Sequence, residues 1–217
     1  GALTRRTGQP PQPHDRLAAP PRDQRPFLGL GGAGQVFVLG DLFPDRVPQV
    51  RLYRGWPVAE MGTRDATLLD LFAQVLGGSA ASRFDTRLVH GDKIADQASA
   101  YQWSSEISGT FFLVSTVKEG MDPAKVEKAL DEELERLIAE GPTADELERA
   151  KVAGRAAFVR GIERIGGFGG KSDVLASCAV YQGTPDCYQE ELDILANATA
   201  ADVQAAAKKW LAGASHT

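Results

Sequence analysis

GPTADELERAK, residues 141–151, is the stretch whose reading decides the fold. Gly141-Pro142 halts any helix that reaches it, because glycine turns the chain out of the helix and proline cannot continue it. Thr143-x-x-Glu146 then forms a capping box, with the threonine and glutamate side chains each satisfying a free backbone N–H at the start of a new helix. Two helices therefore abut here. The upstream one opens at Asp122-Pro123, a cap followed by a first-turn proline, and presents Val126, Leu130, Leu134, Leu137 and Ile138 as one apolar stripe. The downstream one is expected to bury Leu147, Ala150, Gly154, Ala157, Phe158, Gly161 and Ile165, a stripe of small residues that lets another element come close. GGFGG at 166–170 breaks it, and two or three more helices follow. The last begins at Thr199-x-x-Asp202 and carries Val203, Ala207, Trp210 and Leu211 on one side.

Toward the N-terminus the period changes from helical to extended. In PQVRLYRGWPV, residues 48–58, Val50, Leu52, Trp56 and Val58 share one face, and Gln49, Arg51 and Tyr53 share the other. Asp65 is expected to cap a helix through Leu68, Leu69, Phe72 and Val75 that stops at Gly77-Gly78. A short helix is expected over 81–90. Strands over 97–106 and 109–118 are joined by a hairpin at Ile107-Ser108-Gly109, so the sheet is at least partly antiparallel. Strands followed by a helical block define an α+β fold, with helices packed on one face of the sheet.

At 217 residues the chain is long enough for one sizeable core. A net charge of −5 and the lack of any Lys/Arg-rich run argue against nucleic acid as a partner. Nothing approaches the roughly 18 consecutive apolar residues of a membrane span. Residues 1–34 are rich in proline and then glycine, without the apolar run of a secretory signal, and read as a linker or boundary segment before a domain over 35–217. LGLGGAG, residues 28–34, lacks the preceding strand and following helix of a dinucleotide-binding loop and reads as part of that linker. GGFGGK, residues 166–171, reads as a helix-to-helix connection, with a hinge or anion-binding turn around Lys171 as the alternative. Cys178 and Cys187 stand nine apart, which suits no Cys-x-x-Cys zinc pair. They are either two unrelated thiols or one disulfide, and the second choice would indicate an oxidising compartment.

The pieces VPQVRLYRGWPV, VLGGSAASRF, DTRLV, GTFFLVSTVKEG and GPTADELERAK, in that order, resemble the non-catalytic domain of the insulinase/pitrilysin-type zinc peptidases, the inverzincins. The tail from FVRGIERIGGFGGKSDVL to KKWL is similar to bacterial members in which two halves are fused, so the resemblance runs from about Val47 to Leu211. It implies a metallopeptidase-like αβ domain that packs beside a catalytic domain of the same polypeptide, helps close a substrate chamber, and contacts peptides or small proteins. It also implies a bacterial periplasmic or envelope setting.

Catalytic members hold zinc with His-x-x-Glu-His on a helix, where both histidines face one way and the glutamate activates water. This chain has no such motif: its histidines are His14, His90 and His216, far apart in sequence. Glu132, Glu133 and Glu135 have no neighbouring histidine and read as a solvated helix face. No cofactor is therefore expected in this chain, and zinc is expected in an upstream catalytic domain. Aligning LVHGDKIAD with the family's Arg-and-Tyr segment puts Val89 and Asp96 at those two positions, where neither can support an oxyanion. An independent serine or cysteine hydrolase is disfavoured, since His90 is the only histidine in the ordered sequence and Cys178 sits in the apolar helix LASCAVY. The candidates for substrate contact are Gly77, Gly78 and Ser79 with Ser82 and Arg83, whose other reading is helix termination and a core-facing turn. A non-proteolytic assembly subunit is the alternative function, and homo-oligomerisation is compatible with either.

Overall fold

The computed structural model describes residues 49–212. The linker reading of 1–34 and the LGLGGAG loop lie outside the described residues. Three strands form one antiparallel sheet: β1 (Arg51–Val58), β2 (Ala95–Ser104) and β3 (Gly109–Val117), in the order β1-β3-β2. Helix α1 (Arg64–Gly77) lies between β1 and β2 in sequence, followed by a single π-type turn, Asp85–Gly91. Helices α2 (Pro123–Glu140), α3 (Ala144–Ile162), α4 (Lys171–Tyr181), α5 (Tyr188–Asn197) and α6 (Ala200–Trp210) complete the order. The result is α+β, as expected from the change of period.

The core lies between one sheet face and α1. Strand alternation turns Trp56 and Val58, Ala98 and Ala100, and Phe111 and Leu113 to the same side, against Leu69, Phe72 and Leu76 of α1. Trp56 and Phe72 both meet the Phe111 ring, at centroid distances of 6.2 and 6.1 Å. The end of α1 sits directly on β2: a Cβ on Gly77 would fall 2.3 Å from the Ala100 nitrogen, so only glycine fits. Helices α2 and α6 enlarge this core through Val126, Leu130, Leu134 and Leu137, and through Val203, Ala206 and Ala207.

Several local expectations are met at residue level. Asp122 caps α2 and Pro123 opens it, Gly141 leaves the helix at φ +77°, and both capping boxes, Thr143/Glu146 and Thr199/Asp202, are formed. Others are corrected. Thr63 rather than Asp65 caps α1, its hydroxyl accepting from the Ala66 N–H; Asp65 instead accepts from Lys209 Nζ at 2.6 Å and Trp210 Nε1 at 2.8 Å, which joins α1 to α6. Val50 is exposed, one residue before β1 begins. In α3 only Leu147 and Ala150 are buried; the helix ends at Ile162, and Ile165 is 79% exposed in the turn beyond it. The glutamates of α2 are not all solvated either. Glu133 is 1% exposed and accepts from Arg87 at 3.0 Å and Arg136 at 2.7 Å, because helix α2 turns that position toward the π-type turn while Glu132 and Glu135 look outward.

Candidate functional site

The five residues singled out for substrate contact fall in one turn, where the two serines bond the turn's own backbone and Arg83 reaches out to the start of α3. Gly77 is the buried last residue of α1, and the Gly78 N–H donates to the Gln74 carbonyl. Ser79 is exposed and its hydroxyl accepts from the Ala81 N–H. Ser82 is buried, its hydroxyl accepting from the Asp85 N–H. Arg83 donates from Nε and Nη2 to both oxygens of Glu146, each at 2.8 Å, and from Nη2 to the Gly141 carbonyl at 3.4 Å. The same glutamate accepts from the Thr143 N–H at 2.9 Å, so Arg83 clamps the capping box that starts α3. Hydrogen bonding from Arg83 holds the Glu146 carboxyl down at about 2. In this geometry the turn ends α1 and fixes the α2–α3 junction, while Arg83 Nη1 is buried without a hydrogen-bond partner.

Cys178 and Cys187 are bonded, with Cα atoms 5.4 Å apart, and connect α4 to the start of α5. In the GGFGG connection, the Gly169 N–H donates to Asp173 at 2.7 Å and Arg164 donates to the Phe168 carbonyl at 3.1 Å, so the turn binds its own neighbours. His90 is exposed and pairs with Asp85 at 3.0 Å. Among the described residues, no group of three or more His, Cys, Asp or Glu is placed to hold a metal ion.

The surface that stands out is the sheet face turned away from the helices. Alternation places three cross-strand rows there: Tyr53, Val114 and Ser99; Gly55, Phe112 and Tyr101; Pro57, Thr110 and Trp103. The eight side chains of these rows carry no charge, and the next row on the same face brings Arg51, Thr116 and Gln97. Tyr101 stacks on Phe112 at 5.3 Å, and the Phe112 ring extends toward Gly55, whose missing side chain leaves it room. Tyr53 is half exposed and Trp103 is 68% exposed. At the hairpin end, Tyr101, Trp103, Ile107 and Phe112 line a shallow groove of about 480 Å³ together with the polar Thr110, Ser105 and Ser108 and the charged Glu106, and Ile107 is 90% exposed. An open apolar surface of this kind is uncommon on a protein that has no contact to make there.

A second recess, about 440 Å³, lies beside β2 where α1, α3 and α5 converge. The small residues Ala150, Ala153 and Ala157 of α3 line it, Gly154 leaves room for Leu195, and the lining Phe158 and Tyr188 rings stack on one another at 5.8 Å. Asp70 of α1 and Glu191 of α5 both reach into it. Both residues expose their side chains to solvent, while the packed helices around them take away part of their hydration; that desolvation, with the charge of Glu191, pushes the Asp70 carboxyl up to about 7 and also raises Glu191.

Neither surface was singled out in the sequence. The signal for the first is present: Tyr101, Trp103 and Phe112 occupy the outward phase of their strands, where polar residues are the norm. The recess depends on how α3 and α5 pack, which no local pattern encodes.

A helix-backed antiparallel sheet of this design is shared with bacterial proteases of known structure. A protease from Helicobacter pylori superposes with a TM-score of 0.67 at 20% identity, over 76% of this chain and 39% of that one. The inactive peptidase domain of a protein assigned as a zinc protease from Bordetella parapertussis gives 0.64 at 24% identity, over 75% of this chain and 84% of that domain. The periplasmic protease PqqL from Escherichia coli gives 0.61 at 13% identity, over 77% of this chain and 18% of PqqL. These likenesses define the fold, and the chain spans well under half of the two whole proteases. The family described as the peptidase M16 inactive domain matches residues 8–153, and the chain belongs to that family. It is thus a non-catalytic M16 domain, in agreement with the inverzincin resemblance of its sequence. The match begins at residue 8, inside the stretch read as linker, and ends before α4. No curated protein matches the chain. No helix among the described residues is long and apolar enough to cross a membrane.

Proposed function

We propose that this domain serves an M16 zinc metalloprotease as a wall of its substrate chamber, contacting peptide segments while a catalytic domain of the same polypeptide supplies zinc and cuts. The observation that carries this reading is the aromatic patch on the outer sheet face, Tyr53, Tyr101, Trp103 and Phe112, left open on a member of a peptidase family. Such a face offers burial and stacking to side chains of many sequences, at roughly 25 cal/mol per Å² of apolar surface removed from water. The strand beside it, β2, ends the sheet among the described residues, and a peptide laid along it gains main-chain hydrogen bonds. The mechanism is positioning, with no step of bond cleavage assigned to residues of this chain. A periplasmic or envelope location fits the disulfide and the fold shared with PqqL.

Hydrogen exchange on the full chain during titration with unfolded peptides tests the reading. Slowed exchange in β2 and the β2–β3 hairpin is expected. Unchanged exchange at saturating peptide would overturn it.

A second reading, a non-proteolytic assembly subunit, is favoured by the helical arm around α4. Val152, Ile165, Phe168 and Val180 expose apolar surface there, which suits a protein partner.

A further inference from the structure

We propose that the recess beside β2 is a subsite for a basic side chain of an extended peptide whose two flanking residues rest on the aromatic face. The inference builds on the peptide-contact reading and adds a sequence preference to it. Three observations converge on one strand edge. First, the order β1-β3-β2 leaves the outer edge of β2 without a strand neighbour among the described residues. Second, the recess opens along that edge: its lining includes Ala100, Tyr101, Gln102 and Ser104 of β2. Third, the two faces of β2 differ in chemistry. The outward phase holds Tyr101 and Trp103. The inward phase leads to the recess with Asp70 and Glu191, and no lysine or arginine lines it.

A peptide paired with β2 alternates its side chains between these two environments, because strand residues point to opposite faces in turn. Residues i and i+2 then meet the Tyr101 and Trp103 side, and residue i+1 enters the recess. Two carboxylates without a lining cation favour a positive charge at i+1, and the stacked Phe158 and Tyr188 rings suit the stem or face of an arginine or lysine. Gln102 supports the same ligand. Its amide nitrogen donates to Ser104 at 2.6 Å and to the Ala66 carbonyl at 3.4 Å, while its Oε1 is buried without a hydrogen-bond partner and is free to accept from a guanidinium or ammonium. Acidic residues at i+1 would meet like charge, so discrimination comes from repulsion as well as attraction.

The test is a titration of the full chain with capped heptapeptides that differ only at the centre: Phe-Arg-Phe, Phe-Glu-Phe and Ser-Arg-Ser within a serine frame, followed by tryptophan fluorescence and calorimetry. The Phe-Arg-Phe peptide is expected to bind about tenfold more tightly than Phe-Glu-Phe. In the isosteric double variant Asp70→Asn, Glu191→Gln this preference should disappear while Phe-Arg-Phe still binds; a melting curve shows that the variant is folded. In Trp103→Ala, the advantage of Phe-Arg-Phe over Ser-Arg-Ser should shrink. Equal binding of the Arg and Glu peptides, or a preference that survives the double variant, would overturn the subsite and leave the aromatic face in place. Absence of binding by all three peptides would overturn the subsite and the peptide-contact reading together.

Discussion

The sheet with α1, α2 and α6 and the arm formed by the outer half of α3 with α4 and α5 are built on different terms. In the first region each helix starts with a side-chain cap: Thr63 for α1, Asp122 for α2, Thr199 for α6. Each buries a continuous stripe, and aromatic contacts bring Trp56, Phe72 and Phe111 together. In the arm, α4 and α5 begin without a side-chain cap, α4 buries only Cys178, and α5 buries no residue fully. Phe168, 93% exposed, lies in the connection between α3 and α4. Cohesion in the first region comes from burial, whereas the arm relies on a covalent tie and on surfaces left for other contacts. Short helices are marginal without packing, so the arm is the part that depends on its surroundings.

The largest break in that comparison comes from the core. Phe72→Ala is expected to cost about 3–5 kcal/mol of global stability, because it removes a fully buried ring and leaves a cavity. Val180→Ser, in the arm, is expected to cost under about 0.5 kcal/mol, since the side chain is already exposed. Denaturant midpoints measure both, and a comparable loss for the two variants would erase the distinction.

Reduction comes next. The bond between Cys178 and Cys187 closes a short loop and contributes about 2–3 kcal/mol in a chain-entropy estimate. The effect should stay local, with faster amide exchange in α4 and α5 and slow exchange retained in β3. A free-thiol assay on denatured, unreduced protein should find none. Two free thiols would remove the covalent half of the comparison.

The Arg83–Glu146 clamp joins the first region to the start of the arm. Arg83→Ala is expected to destabilise by about 2 kcal/mol, leaving a part-buried carboxylate without its cation. The Glu146 carboxyl titrates lower in the folded chain than in the unfolded one. Its contribution is therefore present at pH above the usual glutamate value, about 4.5, and is lost as the pH falls toward 2. Wild type and variant should differ at pH 7 and converge near pH 2.

A smaller effect than that of Arg83 is expected at Asp70, where α5 meets α1. Its pKa is raised by folding, so the linkage has the opposite sign: stability is full below the unfolded value of 3.8 and is lost as the pH rises toward about 7. Solvent contact reduces the effect. Asp70→Asn should raise Tm by about 2–4 °C at pH 8 and leave it unchanged near pH 3. A lower Tm at pH 8 would show that the carboxylate is held by a favourable contact.

Much of the first region was legible in the sequence. Prolines, glycines and capping boxes act through the backbone of their own residues, so Asp122-Pro123, Gly141 and the pairs Thr143/Glu146 and Thr199/Asp202 could be placed from spacing alone. Positions whose role depends on distant partners were not legible. Glu133 looks like any helix glutamate until Arg87 and Arg136 close over it. Arg54 sits on the inward face of β1 because Glu127 and Asp131 of α2 receive it. The stripe expected along α3 fails beyond Ala150, because helical periodicity shows which residues share a face without showing that a neighbour covers it. Arg83 was a candidate contact by its place in a turn, and its partner is 63 residues away.

The central claim is that this M16 domain positions peptides without carrying the metal chemistry itself. The most direct test is metal analysis of the purified full chain after incubation with zinc and desalting, paired with a peptide-cleavage assay on the same sample. The account predicts zinc well below one equivalent per chain and no cleavage. One tightly held zinc per chain, with cleavage that a chelator abolishes, would contradict it.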